Sequence, residues 1–150
     1  MKTYDMPVSP RRIIGEEPAG LLRLALRLDA AASGAMGLLA LVAGPVFDAL
    51  LGVPRAVSWP VGLFLVAFAT VLWVTASRPS VSRPIVWAVI VLNALWVVAS
   101  AAVVAFGWLP LTGLGIAFDL VQAVAVALFA RLQTLGLRRA RSVAAAGGAL

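Results

Sequence analysis

The sequence predicts an all-α fold: a four-helix transmembrane bundle running up-down-up-down, with both termini cytoplasmic. Three observations predict it. Hydrophobic residues fill 63% of the 150 positions and charged residues only 12%, against about one half and one quarter in a soluble domain. The apolar residues fall in four runs of about 20, the length that crosses about 30 Å of hydrocarbon at 1.5 Å per residue. Once the chain is folded back and forth at its Pro, Gly and Arg breaks, eleven of its 12 cations, all but Arg55, gather on one side. That excess marks the cytoplasmic side.

The elements follow in order. Residues 1–17 mix Lys2, Arg11 and Arg12 with Asp5, Glu16 and Glu17 between prolines, and read as a cytoplasmic polar tail. No short apolar core with a small-residue cleavage site opens the chain, so the first span is expected to be its own insertion signal. The transmembrane domain is read as 18–136, with spans at about 24–44, 59–77, 84–106 and 111–133. Glu16-Glu17-Pro18 suits a helix start, because anions favour the positive end and proline lacks a donor there. Arg23 and Arg27 are expected to lie at the interface and reach toward water. Ala30, Ser33, Gly34 and Gly37 give the first helix a small-residue face for close approach of another backbone. Gly44-Pro45 ends or kinks this helix, and 47–57 reads as the longest loop. Ser58-Trp59-Pro60 opens the second span, and Ser82-Arg83-Pro84 the third. Gly107, free to adopt a left-handed conformation, closes the third. The turn through Trp108 to Pro110 makes the last two spans a hairpin. The fourth helix is read as ending near Gly136, and 137–150 as a basic, then Ala/Gly-rich cytoplasmic tail.

Composition also excludes. The chain has no cysteine and no histidine, which removes thiolate chemistry and imidazole ligation of metal or haem. No metal and no cofactor is expected. The arginines flank apolar runs rather than forming one basic face, so no nucleic-acid partner is expected either. Membrane lipids are, together with a second copy or a larger membrane complex.

The polar residues inside the spans carry whatever chemistry there is. Asp119 lies nine residues after Pro110 and twelve before Arg131, about 14 Å and about 18 Å from the two boundaries. A carboxylate at that depth normally faces a bundle interior or a wet cavity. Gln122 shares its helix face, and Asn93, Trp96 and Ser100 share a face of the third helix. Folding the hairpin brings the two faces level, and Thr70 in the second span reaches similar depth. Asp29, with Ser33 one turn deeper, forms a secondary candidate in the inner part of the first span. Two readings follow. In one, Asp119 exchanges a proton while Asn93, Gln122, Ser100 and Thr70 contact a ligand and Trp96 forms a wall. In the other, Asp119 is held by the amides and ties the helices together, a common means of association in lipid. The second is the one taken.

Leu-Arg-Leu-Asp-Ala (26–30), Leu-Asn-Ala-Leu-Trp (92–96) and Leu-Arg-Arg-Ala-Arg (137–141) resemble features of a group of small four-span bacterial membrane proteins. The layout also looks like that of DoxX-type proteins. The resemblance implies a four-span fold in a bacterial cell membrane and no particular activity. The expected function is therefore that of a non-catalytic accessory or partner subunit. The alternative is a proton-linked carrier or lipophile-binding bundle that uses Asp119. An enzyme is not expected, because general acid-base work needs a positioned pair of titratable groups.

Overall fold

The computed structural model describes residues 19–147, with side chains as far as 142; the tail read over 1–17 lies outside the described residues. Five helices follow one another: α1 (Gly20–Val42), α2 (Gly44–Leu51), α3 (Arg55–Ser77), α4 (Arg83–Phe106) and α5 (Gly113–Gly147). Among the described residues all regular structure is helical. Four helical stretches, Gly20–Val42, Arg55–Ser77, Arg83–Phe106 and Gly113–Ser142, are long and apolar enough to cross a membrane. An integral membrane protein has this composition and these lengths.

The expected breaks hold at α4. Pro84 sits in its first turn and Gly107 ends it at φ 61°, its N–H bonded to the Val103 carbonyl. Elsewhere the bounds differ from expectation. The segment 47–57 is largely helical, because Pro45 only interrupts the hydrogen-bond ladder and the chain resumes as α2. Gly52 ends α2 at φ 70°, and a Cβ there would strike the Pro110 carbonyl. The next helix begins at Arg55, which leaves Pro60 inside it. The last helix does not stop at Gly136. A Cβ at that position would lie 2.8 Å from Leu22 Cα, so the glycine serves the close approach of α1 and α5 instead of a helix end. Residues 137–147, read as tail, therefore continue α5.

Small residues also set the contact between α1 and α3. A Cβ on either Gly37 or Gly62 would come within 2.9 Å of the other's carbonyl oxygen, and one on Gly34 would touch Ala69 Cβ at 3.4 Å. Such backbone proximity is how helices associate where lipid supplies no hydrophobic drive. Arg23 locks the pair at its arginine-rich end. Its guanidinium donates to the carbonyls of Ala76 (2.7 Å), Arg78 (2.6 Å) and Pro79 (2.6 Å), groups left without helical partners where α3 ends.

The helix α4 leans on α5 and makes no comparable backbone approach to α1 or α3. The consequence is an uneven interior. Toward the arginine-rich end, Leu22, Leu26, Phe68, Leu72, Val86, Val89, Ile90 and Leu137 form one buried core. Toward the other end, α4 stands off from α1 and α3, and cavities open between them. There α2 closes the bundle and is clasped to the loop before α5. Thr112 donates its backbone N–H to the Leu51 carbonyl (3.1 Å) and its hydroxyl to the Leu50 carbonyl (2.7 Å). The same hydroxyl accepts from Gly115 N–H at 3.0 Å, capping the start of α5.

Candidate functional site

Two polar clusters lie inside the bundle, and the sequence-derived candidates divide between them. The first centres on Asp29, which is 1% exposed. Nine residues into α1, it lies about 13 Å along a helix of 23 residues, close to its middle. With α1 beginning at Gly20, Asp29 stands further along its helix than a span opening at 24 implies, and Arg23 is level with the end of α3. Three donors converge on the carboxylate: Ser33 Oγ on Oδ1 at 3.0 Å, and Asn93 Nδ2 (2.8 Å) and Gln133 Nε2 (2.7 Å) on Oδ2. Asn93 Nδ2 also donates to Gln133 Oε1 at 3.3 Å. This knot ties α1, α4 and α5 together.

The second cluster joins α4 to α5 nearer the opposite end. Trp96 Nε1 donates to Gln122 Oε1 at 2.8 Å, and Gln122 Nε2 donates to Ser100 Oγ at 2.9 Å and to Asp119 Oδ1 at 3.1 Å. Gln122 thus uses both ends of its amide. Asp119 Oδ2 is buried and finds no hydrogen-bond partner among the described residues. Asp119 stands six residues, about 9 Å, into α5, which begins at Gly113.

Asn93 is therefore not a neighbour of Asp119. It shares a helix face with Ser100, but the step of seven positions between them amounts to about 10 Å, enough to reach the other cluster. Thr70 joins neither. It is exposed and donates to the Val66 carbonyl at 2.9 Å. Phe68 faces the interior, and two further residues turn the helix by about 200°, which puts Thr70 in a shallow outer groove with Ala30, Ala31, Gly34 and Ala69. Gln133, the residue that completes the Asp29 knot, is 0% exposed. Its only signal in the sequence is an amide in the last apolar run, two residues after Arg131 and just before the basic tail.

Two cavities border the second cluster. One, of about 180 Å³, is lined by Ser33, Phe64, Phe68, Asn93, Trp96 and Gln122 among others from all four long helices. The other, of about 270 Å³, extends toward α2 and is lined by Phe47, Ser58, Trp96, Ser100, Phe118, Asp119 and Gln122 among others. Met36, Leu65, Trp96 and Gln122 line both, so the Trp96–Gln122 hydrogen bond stands on the partition between them. The Trp96 ring stacks on Phe64 of α3, with centroids 6.2 Å apart and planes 4° from parallel. Phe47 and Phe118 meet edge to face at 6.2 Å on the side of α2. Asp119 is the one charged side chain that lines either cavity.

Among the described residues no group of three or more His, Cys, Asp or Glu lies close enough to hold a metal ion. Chemically, the arrangement offers apolar and aromatic walls, two amides, hydroxyls and one carboxylate oxygen without a partner. No family model matches the chain, and neither does any curated protein or solved structure. The likeness to small four-span proteins therefore rests on the four apolar helices alone.

Proposed function

We propose that this chain is a non-catalytic integral membrane protein that holds a lipophilic ligand between its four long helices. Its spans run up-down-up-down in a bacterial cell membrane, with both termini cytoplasmic. Support for the topology comes from the residue pairs that touch. Arg23 meets Ala76 and Gly37 meets Gly62, Asp29 meets Gln133 and Leu22 meets Gly136, and Asn93 meets Gln133 and Ser100 meets Gln122. In each set one number rises as the other falls, as in antiparallel neighbours. Support for the orientation comes from the cations.

The observation that carries the function is the cavity of about 270 Å³ beside Asp119. It lies just below the size of pockets that hold small molecules, about 300 Å³ and upward, and shares the wall of Met36, Leu65, Trp96 and Gln122 with the second cavity. Structural glue accounts for the Asp29 knot, whose acceptors are filled, but not for a residue in the wall of a cavity with one carboxylate oxygen buried without a donor. The accessory-subunit reading keeps one observation of its own. The outer groove of Ala30, Ala31, Gly34, Ala69 and Thr70 has the small side chains that admit a helix of a second copy or of a larger complex.

The test uses Trp96 as reporter. A variant with Trp59, Trp73, Trp87 and Trp108 changed to Phe is placed in phosphatidylcholine nanodiscs and titrated with 10-bromodecanol, which quenches indole on contact. The expected result is saturable quenching that Val103→Phe, a substitution filling the larger cavity, abolishes. Quenching that only follows the lipid concentration of bromide, with or without Val103→Phe, contradicts the proposal.

A further inference from the structure

The walls of the cavities also specify the head group of the ligand, an inference that rests on the binding role just proposed. We infer that the ligand is an amphiphile with a protonated primary or secondary amine, seated with its N–H on Asp119 and its chain running past Trp96.

Three features point there. First, neither cavity is lined by Lys or Arg, and Asp119 supplies the one formal charge. In a medium of low dielectric that single acid attracts a cation and repels an anion, so a fatty acid head is disfavoured. Second, Asp119 Oδ2 is buried without a donor while Oδ1 already accepts from Gln122. The missing element is an N–H or O–H, which a quaternary ammonium does not possess. An ionised donor makes the stronger bond to a carboxylate than a neutral hydroxyl does. Third, Phe47, Phe118 and Trp96 line the same cavity as Asp119, and aromatic faces favour a desolvated cation. Beyond the partition, Phe64, Phe68 and Phe129 with Ala32, Ala125 and Val126 offer a path without charge that suits an alkyl chain.

The experiment compares four probes that share one brominated ten-carbon chain: the primary amine, the trimethylammonium, the alcohol and the carboxylate. Each is titrated into the full chain carrying Trp96 as its only tryptophan, in phosphatidylcholine nanodiscs. A companion variant whose only tryptophan is Trp87, which is 49% exposed, corrects for partitioning into lipid. The expected result is half-saturation by the amine at a concentration about tenfold or more below that of the other three. Asp119→Asn is expected to abolish the advantage of the amine and bring it to the level of the alcohol. Equal half-saturation by amine and alcohol overturns the amine assignment while the cavity-binding role stands. Equality of amine and trimethylammonium overturns the requirement for a donor. Saturable quenching by none of the four overturns the binding role itself and this inference with it.

Discussion

Replacing Asp29 with leucine removes the acceptor on which three helices converge, and the cost follows from the geometry. The carboxylate receives Asn93 at 2.8 Å and Gln133 at 2.7 Å across helix boundaries, and Ser33 at 3.0 Å within its own helix. Interhelical side-chain hydrogen bonds in membranes average about 0.6 kcal/mol and reach about 1.7, so the two together are worth about 1–3 kcal/mol. Asn93 retains Gln133 Oε1 as an acceptor, but Gln133 Nε2 is left buried without one, which adds about 1 kcal/mol. Asp29→Leu should therefore destabilise the bundle by about 2–4 kcal/mol. Asp29→Asn should cost about 1 kcal/mol or less, since its amide oxygen can accept from Asn93 and Gln133 while its nitrogen donates to Ser33 Oγ. Asp119→Leu is the control. Asp119 accepts one bond, from Gln122 on its own helix, and Gln122 keeps Ser100 and Trp96. That change should cost less than about 1 kcal/mol. Unfolding of the three variants by sodium dodecyl sulfate in mixed micelles, followed by circular dichroism, measures all of these. A loss below about 1 kcal/mol for Asp29→Leu, or an equal loss for Asp119→Leu, would refute the division into a structural and an open carboxylate.

Further expectations concern the frame around the site. Gly37→Ala and Gly62→Ala each place a Cβ 2.9 Å from the facing carbonyl oxygen, so each should cost about 1–3 kcal/mol in the same unfolding assay, whereas Gly113→Ala, which meets nothing within 4 Å, should not. Arg23→Lys should fail to hold the end of α3, because one ammonium does not reproduce the fork that reaches the carbonyls of Ala76, Arg78 and Pro79; faster amide exchange around 75–81 is the readout. Thr112→Val removes the hydroxyl that caps α5 and clasps Leu50 and should cost about 1–2 kcal/mol, with increased exchange in α2.

The spans were legible because length and apolarity are local properties. Gly107 and Pro84 announced their positions for the same reason: left-handed backbone and a first-turn proline are set by the residue itself. Gly136 was misleading. A glycine at a helix end and a glycine under another helix look alike in one sequence, and only Leu22 against it decides. Gly44-Pro45 likewise signals a break without saying that α2 resumes beyond it. Inside the bundle, the three- and four-residue spacings that put Trp96 and Ser100 opposite Gln122 were readable once the hairpin was assumed. The partner of Asn93 was not. It depends on how α1 docks against α5, which no local pattern encodes. Thr70 shows the weakness of depth alone, since it has a suitable height and the wrong side of its helix.

The central claim is that a lipophile sits among the four long helices, against Trp96 and within reach of Asp119. Crystals grown from lipid in the presence of 10-bromodecylamine, measured at the bromine absorption edge, test it most directly. The account predicts one strong anomalous peak inside the bundle, between α1, α3, α4 and α5, that is lost in Val103→Phe. Bromine peaks confined to the outer, lipid-facing surfaces of the helices would contradict it.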